Sequence, residues 1–166
     1  MTDRIERPRV AEPLTQTMTV DPPAGAWTAP LRVVVADDHP LYRQGIVRAV
    51  EAAGGIVVGE AGDGRDALEL IAAARPDVAV VDVSMPSLDG IDVVERLAAH
   101  GPDVPVVLLS AFSDEALVRS GLLAGAADYV LKSADRDDIL AAIAGAARRE
   151  NAPRALARSR AGDGRP

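Results

Sequence analysis

Residues 76–90 read PDVAVVDVSMPSLDG, a short apolar run that ends at Asp82 and is followed by a turn containing Pro86 and Gly90. A continuous run of Val and Ala of this length is typical of a strand that is covered on both faces of its sheet. Such strands belong to parallel sheets, whose ligands bind beyond the carboxyl ends of the strands. We therefore expect Asp82 to lie at the edge of the sheet where chemistry takes place.

Four further runs of this kind flank the first one, and stretches with helical spacing separate them. This alternation predicts parallel strands joined by right-handed crossovers, and hence an α/β doubly wound sheet covered on both faces. The predicted strands are Leu31–Ala36, Ile56–Gly59, Val78–Asp82, Val104–Leu109 and Tyr129–Leu131. The predicted helices are Leu41–Ala53, Arg65–Ala74, Ile91–Ala99, Asp114–Ala124 and Arg136–Arg149. Ser113 and Ser133 stand where N-cap side chains would satisfy the first amides of the last two helices.

All of these elements fall in residues 31–149, and the sequence on either side differs in composition. Residues 1–30 contain five prolines among polar and charged residues without an apolar period, which predicts a flexible extension. Trp27 in this extension is expected to be solvated rather than docked on the domain. Residues 150–166 are mildly basic and predict a solvated linker or tail.

The overall composition limits the classes of function. The 166 residues carry a formal net charge of −7, which argues against a chain built mainly to neutralise DNA phosphates. Without cysteine the chain has neither a disulfide framework nor a thiolate metal site. No apolar run approaches the ~20 residues that span a bilayer, and the N-terminus lacks the apolar stretch of a signal peptide. We expect a cytoplasmic protein that does not engage a membrane.

Side chains able to do chemistry stand at the ends of the predicted strands. Asp37 and Asp38 follow the first strand, Asp82 ends the third, and Ser110 and Lys132 follow the fourth and fifth. Three carboxylates on one rim repel each other unless a cation neutralises them. Mg²⁺ suits such a site because it prefers oxygen ligands, whereas only two histidines are present to serve Zn²⁺. With a metal bound, one carboxylate could attack phosphorus while the ammonium and hydroxyl groups hold the phosphoryl oxygens.

Other interpretations of these residues stay open. Asp37 and Asp38 could simply cap the first predicted helix. A Mg²⁺-dependent phosphohydrolase also needs clustered carboxylates, but it usually has a second acid close to its nucleophile and a substrate pocket. Nucleotide binding is disfavoured, since neither a P-loop nor a GxGxxG motif follows the first strand. A phosphorylation-independent binding module on this fold is expected to have lost an acidic residue or the lysine, and this chain retains them.

Four runs in this order resemble the sequence motifs of response-regulator receiver domains: VVVADDHPLYRQGI, PDVAVVDVSMPSLDG, PVVLLSAFSD and GAADYVLKS. The resemblance covers about residues 31–149. It implies a flavodoxin-like (CheY-like) fold with five helices and five parallel strands in the order 2-1-3-4-5. The first motif and the pair Lys132-Ser133 are most similar to the NarL/FixJ class, whose members usually carry a LuxR-type helix-turn-helix. Many receivers have proline where this chain has Ser133, which makes a cis peptide bond there costlier.

The resemblance also implies a role for each residue of the rim. Asp82 would be the phosphoacceptor. Mg²⁺ would be held by oxygen atoms of four residues, namely Asp37, Asp38, Asp82 and, through its backbone carbonyl, Ser84. Lys132 and Ser110 would bond the phosphoryl oxygens. Tyr129 would follow Ser110 as the second switch residue by turning inward.

A receiver of this kind would take its phosphoryl group from a sensor histidine kinase and would catalyse only its own phosphorylation and dephosphorylation. Phosphorylation would switch a protein-interaction surface and favour a homodimer through helix 4, strand 5 and helix 5. We expect control of transcription through an output domain, since residues 151–166 are too few for a helix-turn-helix and the chain alone should not bind DNA. The alternative is a stand-alone receiver that serves as a protein-interaction adapter or phosphate sink.

Overall fold

The structure, a computed structural model, describes Trp27 and residues 29–150. Within this part of the chain, five β-strands alternate with five α-helices. The strands are β1 (Arg32–Ala36), β2 (Ile56–Ala61), β3 (Val78–Asp82), β4 (Val106–Ser110) and β5 (Asp128–Leu131). The helices are α1 (Pro40–Ala52), α2 (Gly64–Ala74), α3 (Gly90–His100), α4 (Glu115–Ala124) and α5 (Arg136–Glu150). Most of the predicted flexible extension and nearly all of the basic tail lie outside the described residues.

The five strands are parallel and pair in the order β2-β1-β3-β4-β5. This order confirms the predicted doubly wound α/β fold. The chain leaves β1 for the edge strand β2 and then returns past β1 to β3, so the strand order reverses between β1 and β3. At such a reversal the connections diverge and leave a crevice beyond the carboxyl ends of the two strands.

Helices cover both faces of the sheet, and alternate residues of one strand enter different cores. Val33 and Val35 of β1 pack with α1 and α5, whereas Val34 and Ala36 pack with α2 and α3. This burial on both faces explains why the central strands are almost continuously apolar. In the described part of the chain, no helix combines the length and apolar character needed to cross a membrane.

Four of the five strands differ from their predicted bounds, β1 and β5 by one residue at the start and β2 and β4 by up to two residues at an end. β2 continues to Ala61, which pairs with Ala36 at the end of β1. β4 begins at Val106 and includes Ser110, which pairs with Leu131 of β5. The backbone of Ser110 is therefore fixed by the sheet, although its side chain lies at the rim.

The predicted serine N-caps are wrong. α4 begins at Glu115, and the residue before it, Asp114, caps it by accepting from the backbone N–H of Ala116 at 2.8 Å. Ser133 lies three residues before the first residue of α5. The peptide bond between Lys132 and Ser133 is trans, as are the other described peptide bonds.

Trp27 packs on the domain, so the expectation that it is solvated is wrong. Its ring lies over Gly55, where there is no room for a Cβ atom, and it contacts the core between α1 and α5. The glycine leaves a depression between α1 and β2 that a large apolar ring fills. Contacts that stabilise the domain therefore extend beyond the predicted boundary at Leu31.

Candidate functional site

The three predicted carboxylates meet at the crevice between β1 and β3. Asp37 directly follows β1 and Asp82 ends β3, and these residues are only 1% and 2% exposed. Asp38 lies beside them with a more exposed side chain. Ligand atoms of these three residues and of His39 all lie within 4.8 Å of one another. The convergence that the strand ends predict is thus present, and the imidazole of His39 joins it.

Lys132 reaches the same place from the residue after β5. Its Nζ lies 2.6 Å from Oδ2 of Asp37 and 3.1 Å from Oδ2 of Asp82. Burial lowers the pKa of Lys132, but its bonds to the two carboxylates outweigh burial, so the pKa lies above its usual value. The lysine therefore carries a positive charge between two buried negative ones.

The surroundings of Asp82 oppose its ionisation, whereas those of Lys132 favour its positive charge. Burial raises the pKa of Asp82, and the nearby charge of Asp37 raises it further. Hydrogen bonds from Lys132 and from the backbone N–H of Ser84, the latter at 3.3 Å, oppose this rise without cancelling it. Ionised Asp82 is therefore stabilised by any additional cation that binds here.

These residues fit a Mg²⁺ ion. The side-chain donors that approach one another are mainly carboxylate oxygens, which hard divalent cations prefer. Asp37 and Asp82 share a single ammonium, so their negative charge is only partly compensated. Ser84 is held next to Asp82, and the role of its backbone carbonyl as a ligand stays a prediction.

His39 is the N-cap of α1, and its side chain is 71% exposed. Its backbone N–H donates to Oδ1 of Asp37 at 2.8 Å, and its Nδ1 lies 2.8 Å from Oδ1 of Asp38. Asp37 thus helps to fix the start of α1 with one oxygen and binds Lys132 with the other. The interpretation that Asp37 and Asp38 cap α1 is wrong, because the N-cap residue is His39 and the helix has no side-chain cap.

The two predicted switch residues both bond to the backbone of one residue in the β4–α4 loop, Phe112. Oγ of Ser110 accepts from the backbone N–H of Phe112 at 3.0 Å. The hydroxyl of Tyr129 donates to the backbone carbonyl of Phe112 at 3.3 Å. The tyrosine ring also lies close to Gly121 of α4. A movement of Ser110 toward the acidic cluster would therefore disturb the contact of Tyr129 as well.

Two residues of α1 also contact the site, although they do not stand at a strand end. Arg43 donates from Nη1 to the backbone carbonyl of Asp37 at 2.6 Å, and its Nε lies 3.1 Å from Oε2 of Glu60 in β2. It thus supports the acidic loop without using a carboxylate oxygen that a metal could bind. The ring of Tyr42 faces Lys132. The helical spacing of α1 gives no signal for either contact, because the partners lie on other elements.

A sequence profile for the response regulator receiver domain matches residues 33–144. The chain belongs to the response-regulator receiver family. This confirms the resemblance and agrees with the strand order of the sheet. Receivers of two-component systems act with histidine kinases and generally use Mg²⁺ at an acidic pocket, and this receiver has such an acidic cluster.

Curated relatives of the receiver are transcriptional regulatory proteins. "Probable transcriptional regulatory protein NarL" of Mycobacterium tuberculosis is 44% identical over 114 residues, which cover 68% of this chain and 53% of the relative. The transcriptional regulatory protein YxjL of Bacillus subtilis is 37% identical over 121 residues, which cover 72% and 56%. The receiver chain thus spans about half the length of these relatives.

Solved structures of receivers superimpose on this chain over nearly their whole length. The signal receiver domain of NarL from Mycobacterium tuberculosis shares 45% identity at a TM-score of 0.70, and the match covers 72% of this chain and 98% of that one. The receiver domain of the Francisella response regulator 1452 shares 33% identity at a TM-score of 0.68, with coverage of 72% and 98%.

Proposed function

We propose that this receiver accepts a phosphoryl group on Asp82 from a sensor histidine kinase and thereby switches a protein-interaction surface. One observation carries the proposal: the buried carboxylate of Asp82 ends β3 with the ammonium of Lys132 at 3.1 Å and two further carboxylates beside it. A buried nucleophile with a cation and oxygen donors around it is the arrangement that phosphoryl transfer requires.

In the transfer, a carboxylate oxygen of Asp82 forms a bond to phosphorus while the bond from phosphorus to the nitrogen of the kinase histidine breaks. Lys132 is already positioned to pair with an oxygen of the transferred group, and the hydroxyl of Ser110 supplies a donor from the adjacent strand. Mg²⁺, when held by Asp37, Asp38, Asp82 and the carbonyl of Ser84, would neutralise phosphoryl oxygens as a Lewis acid.

The switch follows from the contacts of Ser110. We propose that its hydroxyl moves toward the phosphoryl group to donate to an oxygen there, and so away from the backbone N–H of Phe112. The loop can then move and release the hydroxyl of Tyr129, which turns inward. Through α4 and β5 the change reaches the surface formed by α4, β5 and α5, where we propose that two phosphorylated copies associate. Size-exclusion chromatography with light scattering, with and without beryllofluoride, tests this homodimer.

The relatives point to transcription as the regulated process, and we propose that this receiver acts on it through an output domain rather than by binding DNA itself. The receiver would catalyse only its own phosphorylation and dephosphorylation. A phosphohydrolase would instead turn over an added phosphomonoester repeatedly, so sustained release of phosphate would contradict this assignment.

Intact mass spectrometry after incubation with acetyl phosphate and Mg²⁺ tests the phosphoacceptor. Wild-type chain should gain one phosphoryl group, Asp82→Asn should gain none, and a chelator should suppress labelling of the wild type. Glu69→Gln, which removes an exposed carboxylate of α2, serves as a control and should be labelled normally. Undiminished labelling of Asp82→Asn would refute the assignment.

A further inference from the structure

The ring of Tyr42 lies against the Lys132 ammonium, beside the two carboxylates that bind it. An ammonium has three N–H donors. Nζ contacts the carboxylates of Asp37 and Asp82, and it lies 4.6 Å from the centroid of the Tyr42 ring. With these three neighbours the lysine side chain is only 13% exposed. The distance is within the range in which a cation is attracted to an aromatic face.

An open groove lies beside the ring and the lysine. A groove of about 650 Å³ runs between α1 and α5, and both Tyr42 and Lys132 form part of its wall. Its other walls are mostly apolar, so they offer the ammonium no substitute for the ring. If the ring were absent, the ammonium could turn further into this open space and away from Asp82.

We propose that Tyr42 is a positioning residue for phosphoryl transfer, whose ring holds the ammonium of Lys132 at Asp82. This inference rests on the proposed function. Lysine is a point charge on a flexible four-carbon chain, so its direction has to be set by its surroundings. A group that is already in place when charge develops on the phosphoryl oxygens speeds the transfer more than one that must first be ordered.

The ring, rather than the hydroxyl, is the part of Tyr42 that acts. The hydroxyl lies 3.5 Å from the backbone carbonyl of Lys132, at the limit of a hydrogen bond, and it makes no other described contact with the site. Burial raises the pKa of Tyr42, so the phenol stays protonated and does not serve as a base. Phenylalanine should therefore replace tyrosine well, and an aliphatic residue should not.

The test compares Tyr42→Phe with Tyr42→Leu at saturating Mg²⁺, with acetyl phosphate as donor. Phosphorylation of Tyr42→Phe should stay within about twofold of wild type, whereas Tyr42→Leu should be slower by roughly three- to tenfold. Leucine keeps an apolar side chain at this position, so thermal unfolding of both variants checks that the fold is retained. Equal rates for all three proteins, or equal slowing by both variants, would overturn the proposal.

The same substitution in a chain without the ammonium shows whether Tyr42 acts through Lys132. In a Lys132→Met background, adding Tyr42→Leu should leave the residual rate unchanged. A further slowing there would mean that the tyrosine acts independently of the lysine and would contradict the inference. If instead wild-type chain is not labelled at Asp82 at all, the proposed function fails before the role of Tyr42 is tested.

A spectroscopic measurement on the unmodified protein does not depend on the stability of the leucine variant. Protons on Cε of Lys132 should resonate upfield of their usual position because of the tyrosine ring current, and should do so in Tyr42→Phe as well. Lys132→Met identifies the signal. An unshifted resonance in folded wild-type protein would overturn the proposal.

Discussion

The carboxylate of Asp82 lies buried beside that of Asp37, and the two share one ammonium. Burial raises the pKa of Asp82, and the charge of Asp37 adds to the rise. In the metal-free chain the folded state therefore holds ionised Asp82 less readily than the unfolded state does. In the metal-free chain, the charge of Asp82 therefore lowers the free energy of unfolding.

Removing this charge should not destabilise the metal-free chain. At neutral pH in the presence of a chelator, Asp82→Asn should leave the free energy of unfolding unchanged or raise it by about 1 kcal/mol, because repulsion and the desolvation of a buried charge are relieved. Urea denaturation measures the difference. Glu69→Gln, an exposed control, should stay within about 0.5 kcal/mol of wild type. A loss of more than about 1 kcal/mol in Asp82→Asn would show that its bond to Lys132 dominates.

The raised pKa of Asp82 also sets the sign of a pH dependence. Between the unfolded pKa of about 3.9 and the higher folded value, the folded chain binds more protons than the unfolded chain does. The contribution of Asp82 to the free energy of unfolding should therefore fall as the pH rises through this window. The difference in stability between wild type and Asp82→Asn, measured with a chelator from about pH 4 to pH 7, reports it. If wild type instead became more stable relative to Asp82→Asn as the pH rises, the prediction would be contradicted.

Residues at strand ends could be predicted from the sequence, whereas residues that support them could not. Asp82 and Lys132 meet because parallel strands bring their carboxyl ends to one edge, a rule that needs no side-chain detail. Tyr42 contacts Lys132, which is 90 positions away, and Arg43 of α1 contacts Glu60 of β2. Their contacts depend on the exact position and rotation of α1 on the sheet. The spacing of apolar residues predicts which face of the helix is buried but does not determine this position.

Among the described helices, α4 has the fewest buried residues. Its one described buried residue is Gly121, which lies close to the side chains of Leu108 and Tyr129. Leu122 is exposed, and Leu123 is 80% exposed. An element with so few buried apolar side chains has little to hold it in a single position. It is therefore suited to move when Ser110 and Tyr129 change their contacts.

Hydrogen exchange should locate this movement. Addition of beryllofluoride with Mg²⁺, which mimics the phosphoryl group, should change the amide exchange of residues 111–132 as Ser110 leaves the N–H of Phe112. The Asp82→Asn variant is the control and should show no such change. Exchange that changes only in α1 and α2 would mean that the switch runs through a different part of the receiver.

The contact between Trp27 and Gly55 can be tested by a substitution at the glycine. A methyl group at position 55 would overlap the indole and also crowd Val50, so Gly55→Ala should displace the ring and shift its fluorescence to longer wavelength. Trp27 is the only tryptophan, so the emission reports on this site alone. Gly45 of α1 has open space around its Cα, and Gly45→Ala should leave the spectrum unchanged while stabilising the helix by about 0.5–1 kcal/mol. Identical spectra for both variants would contradict the docking of Trp27.

For the molecule as a whole, the alternation of strands and helices was enough to predict a doubly wound sheet. Each strand that is buried on both faces needs helices on both sides, and right-handed crossovers supply them. The N-terminal limit of the domain could not be predicted in this way. Trp27 stands among prolines without any apolar period, and its contact depends on a depression that exists only once α1 and β2 are packed.

The negative charge of the whole chain predicts that it binds DNA only weakly. With a formal net charge of −7, the 166 residues should be repelled by a phosphate backbone, and an aspartyl phosphate adds further negative charge. The elements described between residues 29 and 150 all belong to the receiver fold, so the described part of the chain includes no added recognition helix. Any attraction from arginines in residues 151–166 should be weak and lost at moderate salt, because it depends on the release of counterions. Fluorescence anisotropy with duplexes of several sequences, with and without beryllofluoride, should therefore detect only weak binding without sequence preference. Tight and sequence-selective binding at physiological salt would mean that this chain reads DNA itself, and an output domain would no longer be needed to explain control of transcription.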